Sequence, residues 1–405
     1  MKKKILIISP YLPSFDEGGR MRLFYSIKYL SEFLDVHLIS LIYSEDEKKN
    51  IDIIKNFCKE IYLIHKKHID RKRDLFSKLY RLFFLPPDLI TKRFCKEMKA
   101  KVDELVKINN YDLIQCLHQY TFQYVPENIN IPIILDEHNI ESEIFKRAFQ
   151  YTQQENVLHI SKYKFRNKLE LLKLRRYEEN TWSKVNYIIT VSEIDKNILL
   201  SRYKHPDITV IPNGVDTEYF KPYETEEKEE IVFTGTFSHQ PNLDAFLYFV
   251  REIFPIVKKE IKEIKFIAAG KNLPDNIKKQ FENRDDIIIT GYVQDIRPFI
   301  AQARLFIVPI RIGSGTRLKI LQAMAMKKCV ISTAIGCEGI EVENNKNIII
   351  RNTPEEFANA IIEYYSNQNK LKQIAASGYY LVKEKYEWKN IFRKQIELYR
   401  KILNV

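Results

Sequence analysis

Residues 211–237 read IPNGVDTEYFKPYETEEKEEIVFTGTF, and the fold turns on the change of texture inside this stretch. Pro212, Asn213 and Gly214 form a turn signal, and the polar, acidic residues behind them carry no apolar period, as in a linker. At Ile231 a short apolar run begins again. Before the stretch, KILIISP (4–10) passes through a Gly-Gly loop into the helical pattern RMRLFYSIKYLSEF. DVHLISLIY, EIYLIHK, YDLIQCLH, IPIILDEH and VNYIITVS follow, most of them separated by helical segments. After it come EIVFTGTF, IKFIAAGK, DIIITGYV, RLFIVPI, KCVISTAI and NIIII. Short continuous apolar runs alternating with helices imply a parallel sheet covered on both faces.

The pattern occurs twice, so the expectation is an α/β protein of two Rossmann-like parallel-sheet domains facing each other across a cleft. The expected division is an N-terminal domain over 1–212, a linker over 213–230 and a C-terminal domain over 231–385. The helix at 386–405 (WKNIFRKQIELYRKIL at its centre) is long enough to pack back on the N-terminal domain. Residues 141–182 read as one or two long charged helices. A chain of 405 residues is too long for one hydrophobic core and agrees with two. In such sheets ligands sit outside the carboxyl ends of the strands, so the loops there should hold the site.

The composition is that of an ordinary globular protein, with 45% apolar and 29% charged residues. Its five cysteines (Cys58, Cys95, Cys116, Cys329, Cys337) are scattered and lack C-x-x-C spacing. That indicates neither a disulfide framework nor a zinc site, and it fits a reducing cytosol. The opening MKKKILIISPYLP resembles a signal peptide, but its apolar run stops at Ser9, short of the roughly 7–15 residues of a signal core. A buried first strand is the better reading, and no run of about 18 apolar residues suggests a membrane span. The net charge of +12 is unevenly spread. From Lys66 to Lys107 basic residues outnumber acidic ones 13 to 6, with LFSKLYRLFFLPP embedded. This is either an interfacial helix on the inner face of the cell membrane or a solvated lysine-rich face. No nucleic-acid reading module accompanies the charge, so nucleic acid is not an expected partner.

Three strand ends carry candidate chemistry. Strand 1 runs into SPYLPSFDEGGRMR, where Gly18 and Gly19 precede a helix; this is either an anion-cradling turn or a plain one. It lacks the G-x-G-x-x-G dinucleotide pattern. EIVFTGTFSHQPN ends in Gly235 and Thr236 at another strand-to-helix junction. The strongest signal is GSGTRLKILQAMA (313–325). Gly313 and Gly315 permit close backbone approach, and Arg317 and Lys319 belong to the first helical turn. The helix dipole disfavours cations there by a few tenths to about 1 kcal/mol, and a bound diphosphate would offset it, gripped by Arg as a fork and by Lys as a point charge.

With these loops in order, the chain resembles the retaining GT-B glycosyltransferases of family 4 (glycosyl transferases group 1). GTFSHQPNLDAFLYF, GYVQDIRPFIAQARLFIVPIRIGSGTRLKILQAMA and CVISTAIGCEGIEV resemble that family's donor-sugar domain, and IPNGVDTEYF its interdomain signature. The donor loop is similar to the branch that reads GSGTRLKILEAMA. The resemblance implies transfer of a sugar from a nucleoside diphosphate sugar with retention at the anomeric carbon and no essential metal. UDP is preferred over GDP as the nucleotide, and no other cofactor is implied. Arg317 and Lys319 would neutralise the departing diphosphate. Gly18, Gly19, Arg20, Gly235, Thr236, Gly313, Ser314, Gly315 and Thr316 would line the donor, with Tyr292 and Val293 at the base. His138, in IILDEHNIES, falls where the family places a histidine against a sugar hydroxyl, and His118 is a second candidate. Asp136 and Glu137 beside it read equally as a polar strand end.

Two departures from the family bear on activity. Its pair of glutamates, eight residues apart, falls on Ser314 and Gln322. Serine is usual for the branch; glutamine is not, because the second glutamate accepts hydrogen bonds from the ribose. Loss of the charge costs on the order of 1 kcal/mol and implies weaker donor binding. The expected acceptor is a cell-envelope glycan or a lipid-linked oligosaccharide, and the expected location is cytoplasmic. Two alternatives stay open: a degenerate transferase-like partner subunit, supported by Gln322, and a UDP-sugar 2-epimerase, against which the PNG turn and the GSGTRLK loop argue.

Overall fold

The computed structural model describes residues 2–15, 18–66, 85–155, 160–313 and 315–405. The chain divides into two compact units, one of residues 1–211 with 392–405, the other of residues 212–391. The first holds seven strands: β1 (Lys3–Ser9), β2 (Leu34–Ile42), β3 (Glu60–His65), β4 (Leu113–Leu117), β5 (Ile133–Glu137), β6 (Tyr187–Thr190) and β7 (Ile208–Val210). All pairings are parallel, in the order β3-β2-β1-β4-β5-β6-β7. The five residues of β4 and of β5 are all buried, as expected of strands covered on both faces. On one face Leu6, Ile8, Ile39, Leu41, Ile114, Cys116 and Leu135 pack with Met98, Val102 and Leu105 of the helix Lys96–Ile108.

The second unit holds β8 (Lys228–Thr234), β9 (Lys265–Ala269), β10 (Ile287–Gly291), β11 (Ala303–Val308), β12 (Val330–Ser332) and β13 (Ile349–Ile350). These are again all parallel, in the order β10-β9-β8-β11-β12-β13. The core is rich in phenylalanine. Phe233, Phe237, Phe246, Phe249, Phe254 and Phe266 are fully buried, and their rings contact one another mostly in tilted or edge-on pairs such as Phe249–Phe266 at 4.6 Å, with Phe246–Phe266 stacked, all favoured geometries.

Apart from β7, each described strand lies on an apolar run read from the sequence. β7 escaped because it has three half-buried residues at a sheet edge, too few to show a period. The 211–230 stretch is less free than its composition suggests. The Val215 N–H donates to the Tyr386 carbonyl at 2.7 Å and the Trp388 N–H to the Val215 carbonyl at 3.2 Å. Thr217 bonds the Glu387 carboxylate through backbone and hydroxyl, and any side chain at Gly214 would meet the Trp388 ring at 2.7 Å. Only Lys221–Glu229 are exposed throughout. The last helix, Trp388–Leu403, begins in the second unit and continues in the first. There Phe392 stacks on Tyr29 at 5.5 Å and the Gln395 amide donates to the Ser26 hydroxyl at 3.1 Å.

Of the basic 66–107 segment, residues 67–84 lie outside the described residues. Among the described residues no helix is long and apolar enough to cross a membrane.

Candidate functional site

Strand order reverses between β1 and β4 in the first unit and between β8 and β11 in the second. These are the switch points at which parallel sheets take ligands, and the candidate residues cluster at both.

In the first unit a buried charge network lies under the strand ends. Arg22, in the second turn of the helix Gly18–Leu30, places Nη2 3.1 Å from Asp136 Oδ1, and the two side chains are 1% and 2% exposed. Its Nη1 donates to the Ile211 carbonyl at 2.9 Å. The other Asp136 oxygen accepts from the Gln115 amide at 3.2 Å and lies 3.4 Å from His138 Nε2. Burial opposes the Asp136 carboxylate, but Arg22 and His138 outweigh it and hold its pKa well below the usual range. Glu137, the next residue, is fully buried. Burial, with Glu178 and Glu141 nearby, pushes its pKa well up. Alternation along β5 thus shifts the pKa values of two adjacent acids in opposite directions.

On the other side of His138 the Tyr11 hydroxyl lies 3.5 Å from Nδ1 and 3.0 Å from His118 Nε2. The two histidine rings are 4.4 Å apart. Burial, then His138 and Arg93, lowers the His118 pKa well below its ordinary value, so this imidazole is neutral. His118 holds φ +62°, an uncommon conformation for a non-glycine residue that costs on the order of 1 kcal/mol or more. Gly19 is explained by Tyr11, since a Cβ there would come within 2.5 Å of the tyrosine oxygen. Arg20 lies over the Tyr11 ring at 5.2 Å, donates to the Leu12 carbonyl at 3.0 Å and sits 3.6 Å from Glu47. Gly18 opens the same helix.

In the second unit the ends of β8, β9 and β10 converge. Gly270 has φ +151°, and a side chain on it would collide with the Gly235 carbonyl. Gly270 also bridges to Gly291, immediately before Tyr292 and Val293. Tyr292 is 69% exposed. Beyond Gly235, Thr236 accepts from the Asn242 amide at 2.9 Å. Lys319, in the first turn of the helix Leu318–Ala325, donates to the Thr234 carbonyl and to Asn242 Oδ1, the latter at 2.8 Å. Its ammonium lies 4.1 Å from the centroid of the buried Phe233 ring. Burial and the neighbouring Arg317 push the Lys319 pKa well below the usual lysine value. Among the described residues it has no carboxylate within ion-pair distance.

Arg317 is the residue capping this helix rather than a member of its first turn. Its guanidinium folds back on the loop and donates to the Gly315 carbonyl. Gly313 and Gly315 adopt φ +138° and +75°, and a Cβ on Gly313 would meet Arg317 Nη2 at 2.5 Å. Both glycines therefore serve the fold of the loop. Thr316 is buried and Gln322, one turn on, is half-buried; Ser314 lies outside the described residues. The structure thus brings Gly235, Thr236, Lys319 and the Arg317 loop together. Asn242, Tyr11, Arg22 and Gln115 belong to these clusters and were not singled out from the sequence. The asparagine in QPN, opening the helix Gln240–Tyr248, was the one available hint.

Two family profiles match the chain in succession: Glycosyltransferase Family 4 over residues 34–219 and Glycosyl transferases group 1 over residues 228–367. A Klebsiella pneumoniae protein described as an uncharacterized 44.6 kDa protein in the cps region is 24% identical over 403 residues, 96% of this chain and 98% of that one. Among solved structures, sucrose-phosphate synthase from Thermosynechococcus elongatus superposes with a TM-score of 0.72 at 15% identity, covering 100% of both chains. The Anabaena protein HepE, solved in complex with UDP-glucose, superposes with a TM-score of 0.70 at 14% identity, covering 98% of this chain and 99% of that one.

Proposed function

We propose that this chain, a glycosyltransferase of the GT-B type by its two domains and its fold, moves a sugar from a nucleoside diphosphate sugar with retention and without a metal ion. One observation carries the reading: a lysine ammonium at the switch point of the second sheet, bonded to a carbonyl and an amide, with no carboxylate among the described residues to balance it. Such a group stays charged at a cost. A diphosphate beside it would raise its pKa again and draw in the Arg317 fork. As the glycosidic bond breaks, negative charge grows on the departing phosphate, and the two cations stabilise it where a metal ion would otherwise be needed.

In the first unit His138 contacts a hydroxyl of the transferred sugar, steadied by Asp136 and Tyr11. The acceptor attacks on the leaving-group face, and the departing phosphate oxygen takes its proton. UDP is the preferred nucleotide, in line with the ligand of HepE. A cell-envelope or lipid-linked acceptor, met by a cytoplasmic protein at the inner membrane face, agrees with the cps-region relative. Gln322 supports a second reading, an inactive partner subunit.

A thermal-shift screen of the full chain against UDP, GDP, ADP, CMP and dTDP without metal tests the proposal. A rise in Tm with UDP that Arg317→Ala abolishes is expected. Folded protein that responds to no nucleotide would favour the inactive subunit.

A further inference from the structure

A further arginine, Arg93, stands beside the first-unit cluster. Arg93 ends the short helix Asp88–Arg93. It is half-buried, with its guanidinium carbon 4.4 Å from the centroid of the buried Tyr120 ring. Its backbone is pinned, because the Tyr124 hydroxyl donates to the Arg93 carbonyl at 2.6 Å and Phe94 stacks on Tyr124 at 6.0 Å. Tyr120 in turn stacks on His118 at 4.9 Å, and His118 bonds Tyr11. The guanidinium is therefore two rings away from the hydroxyl that joins the two histidines. Its charge reaches His118, Tyr43, Tyr120 and Glu141.

The cation has no ionised partner in contact with it among the described residues. Among the described residues no carboxylate lies within ion-pair distance of Arg93. The acid that feels it, Glu141, is pushed by burial up to about 7 and so is only partly ionised at neutral pH. A half-buried guanidinium over an aromatic ring, on a pinned backbone, loses little further freedom when its donors engage a ligand. It gains most from an oxyanion that can accept two of those donors at once.

We propose that Arg93 is an anion subsite for the acceptor: a phosphate or carboxylate group on the acceptor docks on the guanidinium while the hydroxyl to be glycosylated lies by Tyr11 and His138. This rests on the glycosyltransferase reading and narrows it, since the preferred acceptors are then acidic rather than neutral glycans. Tyr120 backs the subsite and Tyr124 fixes its position.

Calorimetric titration of the UDP-saturated full chain with inorganic phosphate, glucuronate and glucose tests the subsite. At least one anion is expected to bind while glucose does not, and the tighter anion distinguishes a phosphate from a carboxylate source. Arg93→Met should weaken anion binding at least tenfold, and Arg93→Lys should recover part of it, with UDP affinity the same in all three proteins. Anion affinity unchanged in Arg93→Met, or no anion binding by protein that binds UDP, would overturn the proposal. A chain that binds no UDP would count instead against the glycosyltransferase reading, and the same titration without UDP would still decide the subsite.

Discussion

The two sheets share one strand order through their first six strands, yet they treat the cation beside their switch points in opposite ways. In the first unit Arg22 is sealed against Asp136 with both side chains almost wholly buried. The pair's charge is spent inside the protein, where it fixes the Asp136 side of His138. In the second unit the Lys319 ammonium lies against the buried Phe233 ring and has dipoles for partners. Coulombic energy is large in a low dielectric but so is the desolvation cost, so a buried cation needs either a built-in anion or a bound one. The first unit supplies the anion from its own chain. The second, on the proposed reading, leaves it to the donor's diphosphate.

The largest effect that would break this contrast comes from the sealed pair. Arg22→Met leaves Asp136 buried and uncompensated and should cost about 3–5 kcal/mol, measured by urea unfolding, while the double change with Asp136→Leu should recover much of it. A loss under about 1 kcal/mol would mean that the pair is no more than a surface-type contact. Lys319→Met should do the reverse: fold stability is kept or improved, while UDP affinity falls by about 1.5–3 kcal/mol, roughly 10–100-fold. Equal losses of stability and affinity would make Lys319 a structural residue.

Glu141 gives a smaller effect with a definite sign. Its folded pKa of about 7 lies above the ordinary 4.5, chiefly through burial. Between those values the folded state binds more protons than the unfolded one, so stability falls as pH rises, and the penalty is complete above pH 7. The full linkage value of this shift is roughly 3 kcal/mol. Because Glu141 is only half-buried, Glu141→Gln should stabilise the protein by about 1–2 kcal/mol at pH 8, with the gain gone at pH 4. A gain independent of pH would assign it to packing instead. Smallest is Gln322→Glu, expected to tighten UDP binding by on the order of 1 kcal/mol and to leave UMP and UDP equally improved, since the change acts at the ribose. No change in affinity would remove residue 322 from the donor site.

Both sheets were legible because parallel strands buried on two faces leave continuous apolar runs such as ILII and LFIV. The cation loop stood out in the sequence because two glycines and two cations at a helix start form an uncommon cluster. The first-unit network was not. Arg22 and Asp136 are 114 residues apart, and in the sequence Asp136 and Glu137 look alike. The pleat of β5 alone decides which one meets the arginine and which has its pKa raised by burial. Tyr11 was hidden for a related reason: its function depends on two histidines that only the strand order brings together. Asn242 orients Lys319 from a helix 77 residues earlier, a distance at which no spacing rule applies.

The central claim is that the second unit's cations bind the diphosphate in place of a metal ion. Calorimetry of UDP and UMP binding to the full chain in EDTA, repeated with Lys319→Met, tests it most directly. The account predicts that UDP binds about 10–100-fold more tightly than UMP and that Lys319→Met removes most of that margin. Equal affinity for the two nucleotides in the wild type, or a margin that appears only when Mg²⁺ is added, would contradict it.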